Sequence, residues 1–281
     1  SSLGLHLVFF GKRRPVMPNL TEINIFPLKS CGQISVQSAA VEERGLRGDR
    51  RYMLVDATGR FLTQREHPKM ILIQVDMRDS SLEVTAPGQP PLEFSVDLEW
   101  HRVRWVKVWR DHMEVSLGPD SVNEWFTQVM GFPCQLVYMG KQHYRALKAG
   151  RGKVGDQISF ADGSPLLLIS EASLNELNKR LMQPVEMKRF RPNLVTTADR
   201  PFAEDDWSRI RIGEVEFDLG WACTRCVLTT IDPDTARKDV AGEPLMTLKG
   251  FRRGSEGVMF GQNLIPRRLG TLSVGDPIEL L

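Results

Sequence analysis

The chain has 281 residues, 41% hydrophobic and 26% charged, which is enough for a large domain or two smaller domains with real cores. Its net charge of +2 comes from interspersed acids and bases, so the composition argues against a nucleic-acid coat or a membrane-binding surface. Four cysteines in a chain of this length do not make a secreted disulfide framework. We therefore expect a globular cytoplasmic protein that does not bind nucleic acid.

The first 16 residues predict an extension upstream of the fold, because Met17 would be a natural start. Their apolar stretch, Leu3 to Phe10, is followed rather than preceded by the basic residues 12–14. That order is wrong for a signal peptide, and the stretch is well short of the ~20 residues of a transmembrane helix. We expect no membrane span.

From Leu20 onward, short apolar runs alternate with turn residues at a spacing typical of a sandwich or barrel. A first extended run ends in a turn that presents Lys29 and Ser30. The strands predicted next are 34–41, 51–55, 61–64, 70–77, 82–85, 92–96, 103–109 and 113–117. Those predicted in the second half are 157–160, 166–169, 194–196, 210–219, 226–231, 272–274 and 278–280.

Two helices are predicted to interrupt the strands, and both have an inward apolar stripe. One begins at Asp120 or Ser121, and the other covers Glu171 to Leu181 after a capping Ser170. Between them, Lys141 to Lys153 is rich in basic residues and glycine, which predicts a mobile, solvated loop. Its functional alternative is a rim that attracts an acidic redox partner or a phosphate.

The chemically most informative stretch is Cys223-Thr224-Arg225-Cys226, between one strand-like run and the predicted strand 226–231. A zinc site would need two more ligands, and the five histidines are scattered without ligand spacing. Thiol exchange is favoured when the first cysteine begins a helix, whereas a strand is predicted here. A single thiolate with basic neighbours, among them Arg225, Arg191 and Arg50, would suit a soft, high-valent metal. No glycine-rich phosphate loop is present, so we expect no nucleotide cofactor.

The run from Cys223 to Asp234 closely resembles the MOSC molybdenum-cofactor proteins, as do Pro-Leu-Lys-Ser at 27–30, Phe-Arg-Pro-Asn at 190–193 and Phe-Gly-Gln-Asn at 260–263. It is most similar to the branch that holds the mitochondrial amidoxime-reducing component and its bacterial relatives. The resemblance implies a mostly β (α+β) fold with few helices. A MOSC N-terminal β-barrel-like domain would cover residues 17–139, and a cofactor-binding β-barrel MOSC domain residues 140–281.

The resemblance also implies a cofactor and its site. A molybdenum-molybdopterin cofactor would lie between the domains, with Cys226 as the catalytic metal ligand and Cys223 as a non-ligating cysteine. The pterin supplies two sulfurs in that family, so one protein thiolate suffices. By position, the remaining cofactor contacts would be Lys29, Ser30, Arg50, Gly163, Ser164, Arg191, Asn193, Thr224, Arg225 and Asn263.

The activity implied by the resemblance is reduction of N-hydroxylated compounds, such as amidoximes, hydroxylamines and N-hydroxylated nucleobases, to amidines or amines. The sequence contains no ferredoxin-type cysteine set, so electrons are expected from a separate ferredoxin or haem protein with a flavin reductase. Two alternatives stay open: a non-catalytic carrier of the cofactor, and a sulfur-transfer MOSC protein. The pyridoxal-phosphate domain of cofactor sulfurases is not expected in this sequence.

Overall fold

The computed structural model describes residues 17–78, 80–95 and 100–281. Strands predominate over helices in these residues, so the predicted mostly β fold is confirmed. No helix in these ranges is both long and apolar enough to cross a membrane. The predictions for residues 1–16 and for the end of the strand at 92–96 lie outside the described residues.

The first half of the chain forms eleven strands and one α-helix among its described residues. The elements are β1 (Leu20–Ile25), β2 (Ile34–Val36), β3 (Ser38–Glu42), β4 (Gly45–Leu46), β5 (Tyr52–Asp56), β6 (Gln74–Met77), β7 (Ser81–Thr85), β8 (Leu92–Ser95), β9 (Val103–Val108), β10 (Asp111–Leu117), α1 (Asp120–Met130) and β11 (Cys134–Tyr138). A 3-10 helix, Pro68–Leu72, precedes β6.

The second half adds eight strands and two α-helices. The elements are β12 (Leu166–Ser170), α2 (Glu171–Asn178), β13 (Leu194–Thr196), β14 (Arg209–Ile212), β15 (Val215–Thr224), α3 (Leu245–Phe251), β16 (Arg253–Gly254), β17 (Gly257–Arg268), β18 (Gly270–Ser273) and β19 (Ile278–Leu280). Three 3-10 helices accompany them: Met187–Phe190, Ala203–Asp206 and Val227–Thr230.

The largest sheet has nine strands in the order β19-β14-β15-β17-β12-β13-β1-β2, with β16 paired to β17. Its last two strands come from the start of the chain, where Ile23 of β1 lies opposite Leu194 of β13. Strand β3 likewise pairs with β18 from the far end of the chain. The first strands are therefore built into the sheet of the second half, across the boundary predicted at residue 139, and that boundary stays a prediction.

Two apolar cores support this arrangement. Alternating side chains of the large sheet, among them Ile23, Phe217 and Leu264, form a fully buried cluster. The second core lies in the first half of the chain. Helix α1 contributes Val122 and Phe126 to it, as the apolar stripe predicted for this helix requires. The helix ends at Gly131, whose positive φ of 78° suits the glycine found there.

The prediction of a strand at 226–231 is wrong, because the structure has the 3-10 helix Val227–Thr230 there. Two threonine hydroxyls explain the turn: Thr229 Oγ1 donates to the carbonyl of Cys226 (3.0 Å) and Thr230 Oγ1 to that of Val227 (2.7 Å). These local bonds override the β propensity of the run. The turn is short, and the first cysteine lies in β15, so the geometry still differs from a thiol-exchange helix start.

Other differences concern element bounds. The strands predicted at 61–64 and 157–160 form only isolated bridges, and the region 70–77 begins as a 3-10 helix. Helix α2 ends at Asn178 instead of 181, and α3 was not predicted.

The basic loop 141–153 is not simply solvated, because Arg145 and Leu147 are buried. Arg145 donates to Asp111 Oδ2 (2.7 Å) and to the carbonyls of Ser159 (2.8 Å) and Ala161 (2.7 Å). These charge-assisted bonds fix the loop to the segment that leads into β12. Arg145 is therefore part of the scaffold.

Candidate functional site

An open cleft lies where the first strands meet the second half, with an empty volume of about 830 Å³ that includes solvent-accessible space. All eleven residues predicted to form the site line this cleft: Lys29, Ser30, Arg50, Gly163, Ser164, Arg191, Asn193, Thr224, Arg225, Cys226 and Asn263. They come from six separate stretches of the chain. The structure thus brings the predicted residues together, and their roles toward a cofactor stay predictions.

Lys29 enters the cleft from the turn after β1 and is 5% exposed. Its Nζ donates to the carbonyl of Phe160 (2.7 Å) and to the carboxylate of Asp162. Burial lowers the pKa of Lys29 to about 8, although Asp162 acts in the opposite direction. The ammonium is thus held at the joint between the two halves.

Arg50 and Arg191 lie on the ring of Phe26, with their guanidinium carbons 4.0 and 4.3 Å from its centroid. Arg50 Nη1 donates to both oxygens of the buried Asp49 and to Asn193 Oδ1 (3.1 Å). Cation–π contact and these hydrogen bonds fix the arginine planes before any ligand arrives. The cleft is preorganised for planar, multidentate binding of an anion.

Backbone strain also concentrates at the cleft. Ser30, Arg50 and Arg191 adopt positive φ values of 68°, 47° and 57°. Such conformations cost non-glycine residues roughly 1–3 kcal/mol each and persist where the surroundings enforce them. Their shared location is typical of a functional site.

The charge of Arg191 is left without a carboxylate partner among the described residues. The side chain is 8% exposed and its Nη1 donates to the carbonyl of Cys31 (2.7 Å). Burial, with the nearby charge of Arg50, lowers the pKa of Arg191 to about 9. A buried cation held in this way is stabilised by an anionic ligand.

The two cysteines sit differently at the end of β15. Cys226 is exposed at the start of the 3-10 turn, whereas Cys223 is half-buried. Arg225 Nη1 donates to Cys223 Sγ (3.0 Å) and Arg225 Nη2 to the carbonyl of Phe190 (2.6 Å). Both cysteines line the cleft, and they differ in that Cys226 is the more exposed while Cys223 is bonded to its neighbouring arginine.

Arg65 is a cleft residue that the sequence analysis missed. Its Nη1 lies 3.8 Å from Cys226 Sγ and 3.2 Å from Asp162 Oδ2, and its guanidinium carbon is 4.7 Å from the ring centroid of Trp109. Burial would lower the pKa of Arg65, but attraction to Asp162 and Cys226 outweighs it and raises the pKa. The cation expected beside the Cys226 thiolate is thus Arg65, while Arg225 contacts Cys223.

Asp162, the second missed residue, joins the cleft cations. Its carboxylate accepts from Lys29, Arg65 and Trp109 Nε1 (3.1 Å). Burial alone would raise the pKa of Asp162, but Lys29 and Arg65 hold it far below its usual range. Arg65 directly follows the predicted strand 61–64. Asp162 directly precedes the predicted Gly163.

The donor set of the cleft can be compared with the needs of a molybdopterin cofactor. Five cations line it, Lys29, Arg50, Arg65, Arg191 and Arg225, and the carboxylates in contact with them are Asp49 and Asp162. The buried Nε of Arg225 has no hydrogen-bond partner within the described residues. No group of three or more metal-ligating side chains converges anywhere in 17–78, 80–95 and 100–281. One exposed thiol with surplus cations fits an anionic cofactor that supplies most metal ligands itself.

The chain thus combines a mostly β fold with a thiol-bearing cationic cleft between its two halves. The MOSC N-terminal beta barrel domain matches residues 17–133, and the MOSC domain matches residues 155–279. The chain belongs to the MOSC family and carries both of these domains.

Its relatives fall into two groups. The mouse mitochondrial amidoxime-reducing component 1 is 34% identical over 96% of this chain and 84% of its own length. The human protein of that name is 33% identical, over 93% of this chain and 82% of its own length. The rice (Oryza sativa subsp. japonica) molybdenum cofactor sulfurase is 33% identical over 86% of this chain, but over only 32% of its own length. The amidoxime-reducing proteins therefore match nearly end to end, and the sulfurase only in part.

Proposed function

We propose that this chain is a molybdenum-cofactor-dependent oxidoreductase that reduces N-hydroxylated compounds, among them amidoximes, hydroxylamines and N-hydroxylated nucleobases, to amidines or amines. The observation that carries the proposal is the convergence of the exposed Cys226 thiol and surplus buried cations on one cleft. The substrate class rests on the relatives named amidoxime-reducing components, which match over most of both chains.

The proposed cofactor would supply the two-electron redox chemistry, and the protein its binding and orientation. Cys226 would be the protein ligand of molybdenum, because a thiolate is a soft donor. Arg50 and Arg191 would bind the anionic part of the pterin with their planar guanidinium groups. The remaining proposed contacts are Lys29, Ser30, Gly163, Ser164, Asn193, Thr224, Arg225 and Asn263.

Arg65 would orient the Cys226 sulfur at the mouth of the cleft, since its Nη1 lies 3.8 Å from that sulfur. Trp109 is 44% exposed and forms the outer side of this contact. A small N-hydroxylated substrate would approach the thiol-bearing centre along this open side.

We further propose that electrons arrive from a separate ferredoxin or haem protein with a flavin reductase. Cys31 and Cys134 are buried in the core of the first half, so the four thiols do not gather around one iron–sulfur cluster. A working thiolate needs a reducing compartment, for which we propose the cytoplasm.

Metal analysis and turnover of the purified protein test the proposal together. We expect about one molybdenum per chain and conversion of benzamidoxime to benzamidine with an artificial reductant. A nicotinamide nucleotide alone should give no turnover, and a reductase with its ferredoxin or haem protein should restore it. Zinc in place of molybdenum would overturn the class, and bound molybdenum without turnover would favour a carrier or sulfur-transfer protein.

A further inference from the structure

A second basic cavity lies apart from the cleft, next to the start of β5, and Arg51 is one of its lining residues. Its empty volume is about 1020 Å³, including space open to solvent, and none of its lining residues also lines the cleft. The lining residues that matter here are Arg44, Arg47, Arg51, Arg78, Lys141 and Glu42. A cavity of this size accommodates a small organic molecule.

The charges around the second cavity do not balance. Among the described residues, Glu42 is the one carboxylate that lines the cavity, and it serves two arginines: Arg47 Nε lies 3.1 Å from Oε1 and Arg51 Nη2 lies 2.6 Å from Oε2. Arg78 pairs with Glu83 (2.6 Å) and with Glu93 (3.9 Å), which both lie outside the lining, and no described carboxylate pairs with the exposed Lys141. Counted over its described lining residues, the cavity keeps a positive excess.

Arg51 is the buried member of this lining. The residue is 6% exposed, and its Nη1 is buried without a hydrogen-bond partner in the described structure. Its charge is paired with Glu42 through Nη2, so what Arg51 lacks is an acceptor for one donor. An acceptor on a ligand beside Arg51 would supply it.

The rest of the wall is partly apolar. Arg44 is held by bonds from Nη1 to the carbonyls of Gly140 (3.1 Å) and His143 (3.2 Å). Tyr138 stacks on Tyr52 at 4.8 Å between ring centroids, and both residues line the cavity. A cationic rim beside an aromatic surface suits an anion that carries an organic group.

We infer that this second cavity binds a phosphate-bearing small molecule, with the phosphate on Arg51, Arg78 and Lys141 and the organic part against Tyr138. Tetrahedral phosphate offers several oxygens to guanidinium forks and to a lysine point charge, and guanidinium–phosphate bonds are among the stronger hydrogen bonds. Neither the MOSC cleft nor its proposed cofactor is needed for this binding. The inference goes beyond the proposed function and stands or falls separately.

Calorimetric titration of the full, cofactor-loaded chain with inorganic pyrophosphate and with phenyl phosphate tests the inference. We expect both to bind, and Arg78→Ala and Lys141→Ala to weaken the affinity about tenfold each, as a lost charge-assisted bond implies. Arg51→Lys keeps the charge but removes the unpaired Nη1 and should weaken it further. Tyr138→Ala should weaken phenyl phosphate more than pyrophosphate.

Two variants serve as controls. Arg209 matches Arg78 in exposure (48% against 51%) and in its 2.6 Å contact with one glutamate, but lies in β14, so Arg209→Ala should bind pyrophosphate normally. Arg191→Met alters the cleft and, compared with the parent chain when both are cofactor-free, should leave pyrophosphate binding at the second cavity intact. Loss of binding in Arg191→Met together with full binding in Arg78→Ala and Lys141→Ala would assign the anion to the cleft and overturn the inference, as would the absence of measurable binding. If Arg51→Lys fails to fold, the two exposed rim variants still decide the question.

Discussion

Arg145 and Arg191 are almost equally buried, at 6% and 8% exposed, yet they are held in opposite ways. Arg145 is satisfied by Asp111 and two backbone carbonyls, whereas Arg191 has one carbonyl and no carboxylate within the described residues. A buried cation with all its partners stabilises the scaffold, and one without them indicates where an anionic ligand binds. Arg191 is thus distinguished from Arg145 by incomplete pairing rather than by depth.

The largest effect should come from the thiol of the cleft. Cys226→Ser replaces a soft thiolate with a hydroxyl that rarely ionises, so we expect reduction of benzamidoxime to be abolished. The cationic contacts survive, and part of the cofactor stays bound. Molybdenum content and turnover measured on the same sample check both statements.

A thiol of the scaffold provides the matched control. Cys134 is 3% exposed in the apolar core of the first half of the chain, and burial raises the pKa of its thiol to about 11. Cys134→Ala should lower the free energy of unfolding by about 1 kcal/mol and leave turnover intact. Equal loss of turnover in both variants would show that the loss comes from a disturbed fold and not from removal of a metal ligand.

The two arginines should differ in unfolding experiments on cofactor-free protein. Arg145→Met leaves the carbonyls of Ser159 and Ala161 without their donor, so we expect the free energy of unfolding to fall by about 3 kcal/mol. Arg191→Met removes an unpaired buried charge and should change it by less than about 1 kcal/mol.

For retention of the cofactor we expect the opposite order, with the larger loss in Arg191→Met and the smaller loss in Arg145→Met. Arg191→Met should reduce retained molybdenum at least about tenfold, because it removes a charge-assisted contact to the ligand. Folded Arg145→Met should retain it. Urea unfolding and metal analysis of both variants give the answer, and a parallel loss in stability for both would refute the distinction between satisfied and unsatisfied cations.

The lowered pKa of Lys29 predicts that the stability of the cofactor-free fold and the retention of an anionic ligand change in opposite directions with pH. Its pKa falls on folding from 10.5 to about 8, so the unfolded chain binds more protons between these values. The contribution of Lys29 to the stability of the cofactor-free fold therefore rises with pH across this window. An anionic ligand prefers the protonated amine, so retention is complete below about pH 8 and falls above it.

Dialysis of the loaded protein at a series of pH values, followed by metal analysis, checks this dependence. Lys29→Arg keeps its charge over the whole range and should retain molybdenum above pH 8, where the parent chain loses it. The same loss in both proteins would mean that another group controls retention.

Much of this site could be predicted from sequence because its residues occur in short local motifs. Phe-Arg-Pro-Asn at 190–193 and Cys-Thr-Arg-Cys at 223–226 each place several cleft residues within four positions. Most strands were predictable for a similar reason, since apolar alternation is a local signal. Gly131 even ends its helix in the conformation that its residue type favours.

The parts that could not be predicted depend on contacts distant in sequence. Arg65 contacts Cys226, which lies 161 positions away in the sequence. Arg145 is buried and bonded to Asp111, although its own segment is basic and glycine-rich. The 3-10 turn at Val227–Thr230 depends on hydroxyl bonds that compete with a strand of the same composition. Pairing of β1 with β13 across the halves likewise leaves no local trace.

The smallest effect should come from replacing Cys223. The motif alone does not distinguish the role of Cys223 from that of Cys226. The Cys223 sulfur is half-buried and accepts from Arg225 Nη1 at 3.0 Å, a bond that a serine hydroxyl can also accept. Cys223→Ser should therefore change the free energy of unfolding by less than about 1 kcal/mol and turnover by only a few-fold. Cys223→Val, which cannot accept that bond, should disturb Arg225 more and lower the molybdenum content. If Cys223→Ser loses as much metal as Cys226→Ser, the two cysteines act as a pair, and the assignment of Cys226 as the single protein ligand is wrong.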